Sequence, residues 1–334
     1  MKGMESAGAA SSLRILLLGK RGSLVLWLEN MQRACTRLGH LARVFAINGD
    51  SMMSRLRVKW QGYGSANTRW MLARFERVLA GFRPNLVIVA GVFGVPIEYY
   101  RILQGLSHRP MIAGLVGDRF SASGWEQANC CDRLYFTDTS FIRDAEDAGF
   151  ATPGCYLPLA VDPELFQPGS ESRRAELLFV ASRTEFRETV VRGLTFPARI
   201  VGTDWSALTH EGFHHVRNRK IGRPHLIWLY RRHFAVLNAR NEVNVEHGLN
   251  QRSFEPLACG TPVLNDDLPD LPLCFEPGRE ILVYRDIEEL NDLVARLRRD
   301  PSFGSSVGYE GRRRVLAEHT YVHRLKVILS HLDP

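Results

Sequence analysis

The sequence predicts an α/β protein built from two doubly wound parallel sheets that face each other across a cleft. Three observations carry that expectation: short apolar runs alternate with helical patterns, the runs end in Gly or Asp turns, and an aperiodic proline-rich stretch separates two such sets. At 334 residues the chain also exceeds the usual size of a single hydrophobic core. In the first set, Leu13 to Leu18 is an apolar run broken only by Arg14 and ending in Gly19-Lys20-Arg21-Gly22-Ser23. The helical pattern Leu24 to Leu38 and a second strand, Ala42 to Ile47, follow it. Asn85 to Ala90, closed by Gly91, and Pro110 to Val116, closed by Gly117-Asp118, read as further buried strands. Asp132 to Thr137 is another strand and leads into a helix from Ser140 to Ala148. Such sheets bind ligands beyond the carboxyl ends of their strands, so the turns after Leu18, Ala90 and Val116 should face the cleft.

Leu157 to Ser172 is rich in proline and polar residues and reads as the connection between domains. Beyond it, Glu176 to Ala181, Ala198 to Gly202, Ala235 to Asn238, Pro262 to Asn265 and Glu280 to Tyr284 read as strands. Helices are expected from Glu185 to Leu194 and from His225 to Phe234, with closing helices from Ile287 to Asp300 and Tyr309 to Leu332 broken at Asp300-Pro301-Ser302. The expected organisation is an N-terminal domain over 1–156, a linker over 157–172, a second domain over 173–318, and a C-terminal helix over 319–334 able to pack back on the first.

Composition narrows the function classes. The 45% hydrophobic and 24% charged fractions are those of a globular protein, and no apolar run approaches the ~20 residues needed to span a bilayer. The opening MKGMESAGAASS lacks the apolar centre of a signal peptide, so the expected location is the cytoplasm, with peripheral contact at the inner face of an anionic membrane left open by the charge. Six cysteines show no metal-type spacing, and neither a disulfide framework nor a metal site is expected. The net charge of +7 and pI near 9.2 suit an anionic ligand such as a sugar nucleotide, an anionic glycan or an anionic lipid surface. Nucleic acid is not expected as a partner, because the basic residues are dispersed and no recognition motif interleaves them with aromatics.

Gly248 to Asp266, GLNQRSFEPLACGTPVLND, is the most informative stretch: a polar loop, a glutamate at a short helix start, a Gly-Thr-Pro turn and a buried strand. Free backbone N–H groups at such a start favour a phosphate, and Glu255 is suited to accept hydrogen bonds from a ribose diol. The glycine loop at Gly19 to Gly22 is neither a Walker A motif nor the three-glycine dinucleotide fingerprint, which removes the main support for NTP hydrolysis and nicotinamide chemistry.

The second half resembles the glycosyltransferases of the GT-B fold, two Rossmann-like domains facing across a cleft. It is most similar to glycosyltransferase group 1 proteins and to the spore-maturation-protein-like branch called CgeB-like. The residues that carry the resemblance are Asn238, the Gly248 to Asp266 stretch, FEPGREILVYRDIEEL (Phe275 to Leu290) and GRRRVLAEHTYVHRL (Gly311 to Leu325). FVASRTEFRET (Phe179 to Thr189) matches less closely, and the first half only in AGLVGDRF (Ala113 to Phe120) and LPLAVDPELFQP (Leu157 to Pro168). The resemblance implies a donor-nucleotide domain in the C-terminal half, a nucleotide-diphosphate sugar as co-substrate, no cofactor, no metal, and a glycan, lipid-linked or protein hydroxyl as acceptor. It also implies ribose binding by Glu255 and a diphosphate near Asn250 to Arg252. One departure stands out: many related retaining enzymes carry a second glutamate eight residues earlier, where this chain has His247, with Glu246 beside it.

The candidate donor-binding residues are therefore Glu255, Arg252, Asn250, Arg187, Ser182, Gly248 and Ser253, and the candidate cleft loops hold Gly19, Lys20, Arg21 and Gly91. Arg252 could fork onto a phosphate or pair with Glu255 or Glu246. Ser182 could offer its amide to a phosphate or cap a helix. Asp118 is the candidate base for an acceptor hydroxyl, or else a turn or cap aspartate. His319 packs against or caps the last helix, while His210, His214 and His215 fall in an irregular polar stretch. Two other function classes fit the same fold: a nucleotide-binding scaffold that has lost turnover, and a nucleotide-sugar epimerase or glycan phosphorylase.

Overall fold

The computed structural model describes residues 12–22, 27–49, 69–120 and 124–332. The MKGMESAGAASS opening up to Ser11, the turn residue Ser23 and the start of the first helical pattern at Leu24 lie outside them. Among the described residues the strands form two six-stranded sheets whose neighbours are all parallel. The first contains β1 (Arg14–Gly19), β2 (Leu41–Ala46), β3 (Leu86–Ala90), β4 (Met111–Val116), β5 (Arg133–Phe136) and β6 (Gly154–Tyr156), in the order β2-β1-β3-β4-β5-β6. The second contains β7 (Arg174–Val180), β8 (Ala198–Gly202), β9 (His215–Asn218), β10 (His233–Asn238), β11 (Val263–Asp266) and β12 (Leu282–Tyr284), in the order β12-β11-β10-β7-β8-β9. The strand order reverses direction between β1 and β3 in one sheet and between β7 and β10 in the other. The carboxyl ends of those two pairs are where a doubly wound sheet opens a crevice.

Alternation along each strand builds a core on both faces, as buried parallel strands require. Leu16 and Leu18 of β1 join Phe45, Val87 and Val89 on one face, while Ile15 and Leu17 join Leu86 and Ile88 on the other. That second cluster does not stop at the domain edge. It continues through Leu157, Leu159 and Val161 of the connection into Leu178, Tyr230, Phe254 and Leu257, and on to Tyr321, Leu325 and Ile328.

The joint between the halves is made by the connection and the last helix. Helix Tyr321–Leu329 packs against helix Trp27–Arg37 of the first half. Arg324 donates to the carbonyls of Pro158 (2.5 Å) and Leu159 (2.8 Å), and Val161 N–H donates to His319 O at 3.0 Å. Asp162, 1% exposed, accepts from Arg33 and Arg37. His319 packs rather than caps: buried, its Nε2 lies 2.8 Å from Cys274 O and its Nδ1 accepts from Arg324. Burial and the neighbouring Arg324 push its imidazole down to about 3, so it is neutral. The cap of the last helix is Thr320, in a reciprocal box with His323.

Three expectations are corrected. Edge strands β6 and β9 carry only three and four residues, too few to show an apolar period, and β9 makes regular structure of part of the histidine-rich stretch. His214 beside it is buried, accepting from Ala198 N–H at 3.2 Å. The break at Asp300-Pro301-Ser302 stands where expected, but the closing helix begins at Pro301, capped by Asp300, rather than at Tyr309, and runs to Glu318; a second break at His319-Thr320 lets the final helix turn back onto the first half.

Candidate functional site

The wall contributed by the first half lies at the ends of β1, β3 and β4. Lys20, Trp27, Gly91, Phe93, Gly117, Asp118 and Arg119 line one cavity of about 300 Å³ there. Gly91 makes this possible: its φ of 78° is left-handed, and the turn it allows starts the short 3-10 segment Val92–Gly94 that forms the cavity edge. The cavity walls push the Asp118 carboxyl above its usual range, although the side chain keeps contact with solvent. Asp118 accepts from Asn244 Nδ2 at 3.3 Å, and Arg119 pairs with Glu246 at 2.7 Å, so the rim touches the second half directly. Gly19 and Arg21 are not in the lining: Gly19 backs onto Ala90, and Arg21 exchanges two backbone hydrogen bonds with the Asn48 amide.

The opposite wall is built at the β7/β10 reversal. Arg187 sits in the first turn of helix Glu185–Arg192, is 4% exposed, and ties the two strand ends together by donating Nε to Ala239 O (3.2 Å) and Nη1 to Ser182 O (3.1 Å). The cap of that helix is Thr184 rather than Ser182, whose hydroxyl instead accepts from Thr203 at 2.9 Å. Asn238, at the end of β10, is fully buried and organises the other side. Its Nδ2 donates to Ser253 Oγ (3.0 Å) and Asn265 Oδ1 (2.6 Å), and its Oδ1 accepts from Asn250 Nδ2 (3.0 Å) and Arg252 Nε (3.1 Å). With every polar atom of Asn238 engaged, the 3-10 turn Gln251–Ser253 is fixed and Arg252 is aimed by it.

The electrostatics of this wall are unusual. Burial, then the Arg252 charge, pushes the Arg187 guanidinium down to about 9, and burial lowers that of Arg252 as well. Neither makes an ion pair among the described residues; Glu246, one possible partner of Arg252, is taken by Arg119. Glu255, at the start of helix Glu255–Ala258, is half-buried, with the Tyr230 hydroxyl donating to it at 3.3 Å. Burial outweighs the Arg252 charge and pushes its carboxyl up to about 7. Asp266, closing β11 and paired with Arg240 at 3.1 Å, is likewise raised to about 6 by burial.

Below the two walls the halves are locked by Asp138, Thr139 and Asp270. One oxygen of Asp138 accepts the backbone N–H groups of Glu246 (2.9 Å), His247 (2.9 Å) and Gly248 (2.8 Å), and the other takes Ser140. Burial works to raise this carboxyl, but the bonds from Ser140, Gly248 and Glu246 hold it below its usual range. Thr139 donates Oγ1 to Asp270 at 2.5 Å and stands 3.1 Å from His247 Nδ1. A hydroxyl has one proton, and this one goes to the carboxylate; a neutral His247 therefore carries its hydrogen on Nδ1 and keeps the Nε2 lone pair free to accept.

Two expected donor-side residues face elsewhere. A Cβ on Gly248 would fall 2.5 Å from Thr137 O, so this glycine lets the two backbones meet and belongs to the joint. Ser253 is fully buried with its hydroxyl spent between Asn238 and Asn265, and Asn250 also positions Arg252 through its side chain. Arg187, Arg252, Ser182 and Glu255 are brought to the same wall, and Lys20, Gly91 and Asp118 to the other. Tyr230, Asp138, Thr139 and Asp270 were not anticipated. Asp138-Thr139 shares the one available signal with Asp118, a polar residue at the end of a buried strand. Among the described residues no group of three His, Cys, Asp or Glu side chains could hold a metal ion, and no helix is long and apolar enough to cross a membrane.

Residues 173–330 match the model of a family described as glycosyl transferase-like. Whole-chain likeness to solved structures is one of fold. Sucrose-phosphate synthase from Thermosynechococcus elongatus superimposes with a TM-score of 0.69 at 14% identity, over 96% of this chain and 98% of that one. A glycosyltransferase from Rickettsia africae gives 0.68 at 9% identity over 97% and 98%. Anabaena HepE, solved in complex with UDP and glucose, gives 0.66 at 10% identity over 96% and 99%. The two six-stranded sheets are thus those of the GT-B fold. No curated protein matches the sequence.

Proposed function

We propose that this protein is a glycosyltransferase that moves a sugar from a nucleotide-diphosphate donor to an acceptor hydroxyl on a glycan, a lipid-linked glycan or a protein side chain. The observation that carries the reading is the pair Arg187 and Arg252: two desolvated, like-charged guanidiniums with no carboxylate within ion-pair distance among the described residues, held at the crevice of the second sheet. The more distant Glu242, Asp266 and Glu255 offset this charge only in part, since burial still lowers both guanidiniums, and a bound diphosphate would supply further countercharge. The glycosyl transferase-like match over 173–330 and the UDP and glucose in a neighbour of the same fold support the same class.

In this reading Glu255 accepts from the ribose hydroxyls, while Arg187 and Arg252 stabilise the charge that develops on the diphosphate as the sugar–oxygen bond breaks, without need of a metal. Asp118, across the cleft, takes the proton of the acceptor hydroxyl as its oxygen bonds the anomeric carbon. The test is calorimetric titration with UDP, GDP, ADP, CMP, dTDP and their sugar conjugates. One selective, saturable ligand, weakened in Arg252→Gln, is expected; no nucleotide binding by the folded protein would overturn the reading. His247, standing where related retaining enzymes carry glutamate, favours one second reading, a donor-binding scaffold without turnover. Donor binding with neither transfer nor hydrolysis across an acceptor panel would establish it. A peripheral contact with an anionic membrane would bring a lipid-linked acceptor within reach.

A further inference from the structure

At the amino ends of β7 and β10, the opposite end of the second sheet from the cleft, lies a cavity of about 270 Å³ lined by Arg173, Arg174, Phe234, Arg298, Gly304 and Ser305, among others. Three arginines line it and no carboxylate does. Among the described residues Arg174, Arg298 and Arg173 form no ion pair: Arg298 stacks over Phe196 at 5.0 Å, and Arg173 donates to Gly260 O at 2.5 Å. The nearest acids are committed elsewhere, Glu176 to His215 and Asp300 to the Ser302 and Phe303 amides. Helix macrodipoles explain part of this, because Arg298 sits in the last turn of helix Ile287–Arg299, where a cation is favoured. They do not explain Arg173 and Arg174, which precede and open a strand.

We propose that this cavity is a second anion site, taking a phosphate-bearing group independently of the cleft. Planar guanidiniums lining a concavity match phosphate oxygens bidentately. Lying at the far end of the sheet, the site holds a ligand that the donor pocket does not. Either a phospholipid headgroup or a soluble phosphate-bearing molecule supplies that chemistry.

The experiment is an amide NMR titration of the full chain with inorganic phosphate, read at Gly304 and Ser305, in the native protein, in Arg252→Gln, and in the double variant Arg174→Gln/Arg298→Gln. Saturable shifts at Gly304 and Ser305 that persist in Arg252→Gln and weaken at least about tenfold in the double variant are expected. The corresponding double lysine variant should retain binding, showing that lost charge rather than lost fold is responsible. Co-sedimentation with vesicles of phosphatidylglycerol against phosphatidylcholine separates the sources: binding to the anionic vesicles that falls in the double variant identifies a headgroup, and phosphate binding without vesicle binding identifies a soluble ligand. Absence of saturable shifts at Gly304 and Ser305, or shifts that survive the double glutamine variant unchanged, would overturn the proposal. Because Arg252→Gln removes only the cleft arginine, failure here leaves the donor reading standing, and the reverse.

Discussion

Glu255→Gln should stabilise the ligand-free protein at pH 8 and leave it nearly unchanged at pH 5. The Glu255 carboxyl is half-buried and has one hydrogen bond, from Tyr230 at 3.3 Å. Burial raises it from 4.5 to about 7 in the folded protein. Between those values the folded state holds a proton that the unfolded chain has released, so stability falls as pH rises through the window. The shift corresponds to at most about 3.5 kcal/mol at about 1.4 kcal/mol per unit, and residual solvation of a half-buried group brings the expected loss to about 1–3 kcal/mol. Glutamine keeps the size and the hydrogen bond but does not titrate. Denaturant unfolding followed by tryptophan fluorescence, run on both proteins from pH 5 to 8, isolates the term, since Asp266 and the other titrating groups cancel in the difference. The advantage of glutamine should grow with pH and level off above 7. Parallel profiles for the two proteins would refute the argument that burial of Glu255 outweighs the Arg252 charge and the Tyr230 hydrogen bond. A bound donor, whose ribose hydroxyls would solvate the carboxylate, should flatten the native profile.

Arg252→Gln should weaken nucleotide-diphosphate binding by about 2–3 kcal/mol, seen in calorimetry, with little change in unfolding midpoint because Asn238 still anchors the turn through Asn250 and Ser253. Asp118→Asn should lower the transfer rate by roughly 10²- to 10⁴-fold while donor affinity holds; an equal loss of both would argue against a role as base. Asp138→Asn should cost about 3 kcal/mol in chemical unfolding, because three backbone N–H groups lose a charged acceptor. The Asp138 carboxyl is held below its usual range, so its contribution is present above the unfolded value of about 3.9 and is lost as pH falls through the folded one. The asparagine variant should therefore lack part of the acid sensitivity of the native protein. Gly248→Ala should be at least as damaging, since the added methyl must displace Thr137 O across the joint.

Legibility followed length and pattern. β1, β3, β4, β8 and β10 are readable within a residue or two because three to five apolar residues lie close to turn formers, and Gly260-Thr261-Pro262 announces β11. β6 and β9 are not, since edge strands this short carry no period. Glu255 and Arg252 were legible from the local grammar of a polar loop before a helix start. Gly248 and Ser253 share that grammar yet pack into the joint and the Asn238 network, because motif membership says that a residue is near a strand end, not which way it faces.

The sequence alone determined the class of the fold, its two halves, and the residue types at the ends of its strands, because these follow from periodicities of two and 3.6 and from turn chemistry that act over a few residues. The rest came from tertiary structure. Only folding brings Arg187 beside Arg252, burying two like charges that nothing local would place together. Folding likewise turns Asp138 into the acceptor for three amides of the other half, and puts Thr139 between Asp270 and His247. The raised carboxyl of Glu255 and the lowered guanidinium of Arg187 have the same origin, for desolvation depends on what the rest of the chain stacks around a group and not on its neighbours in sequence.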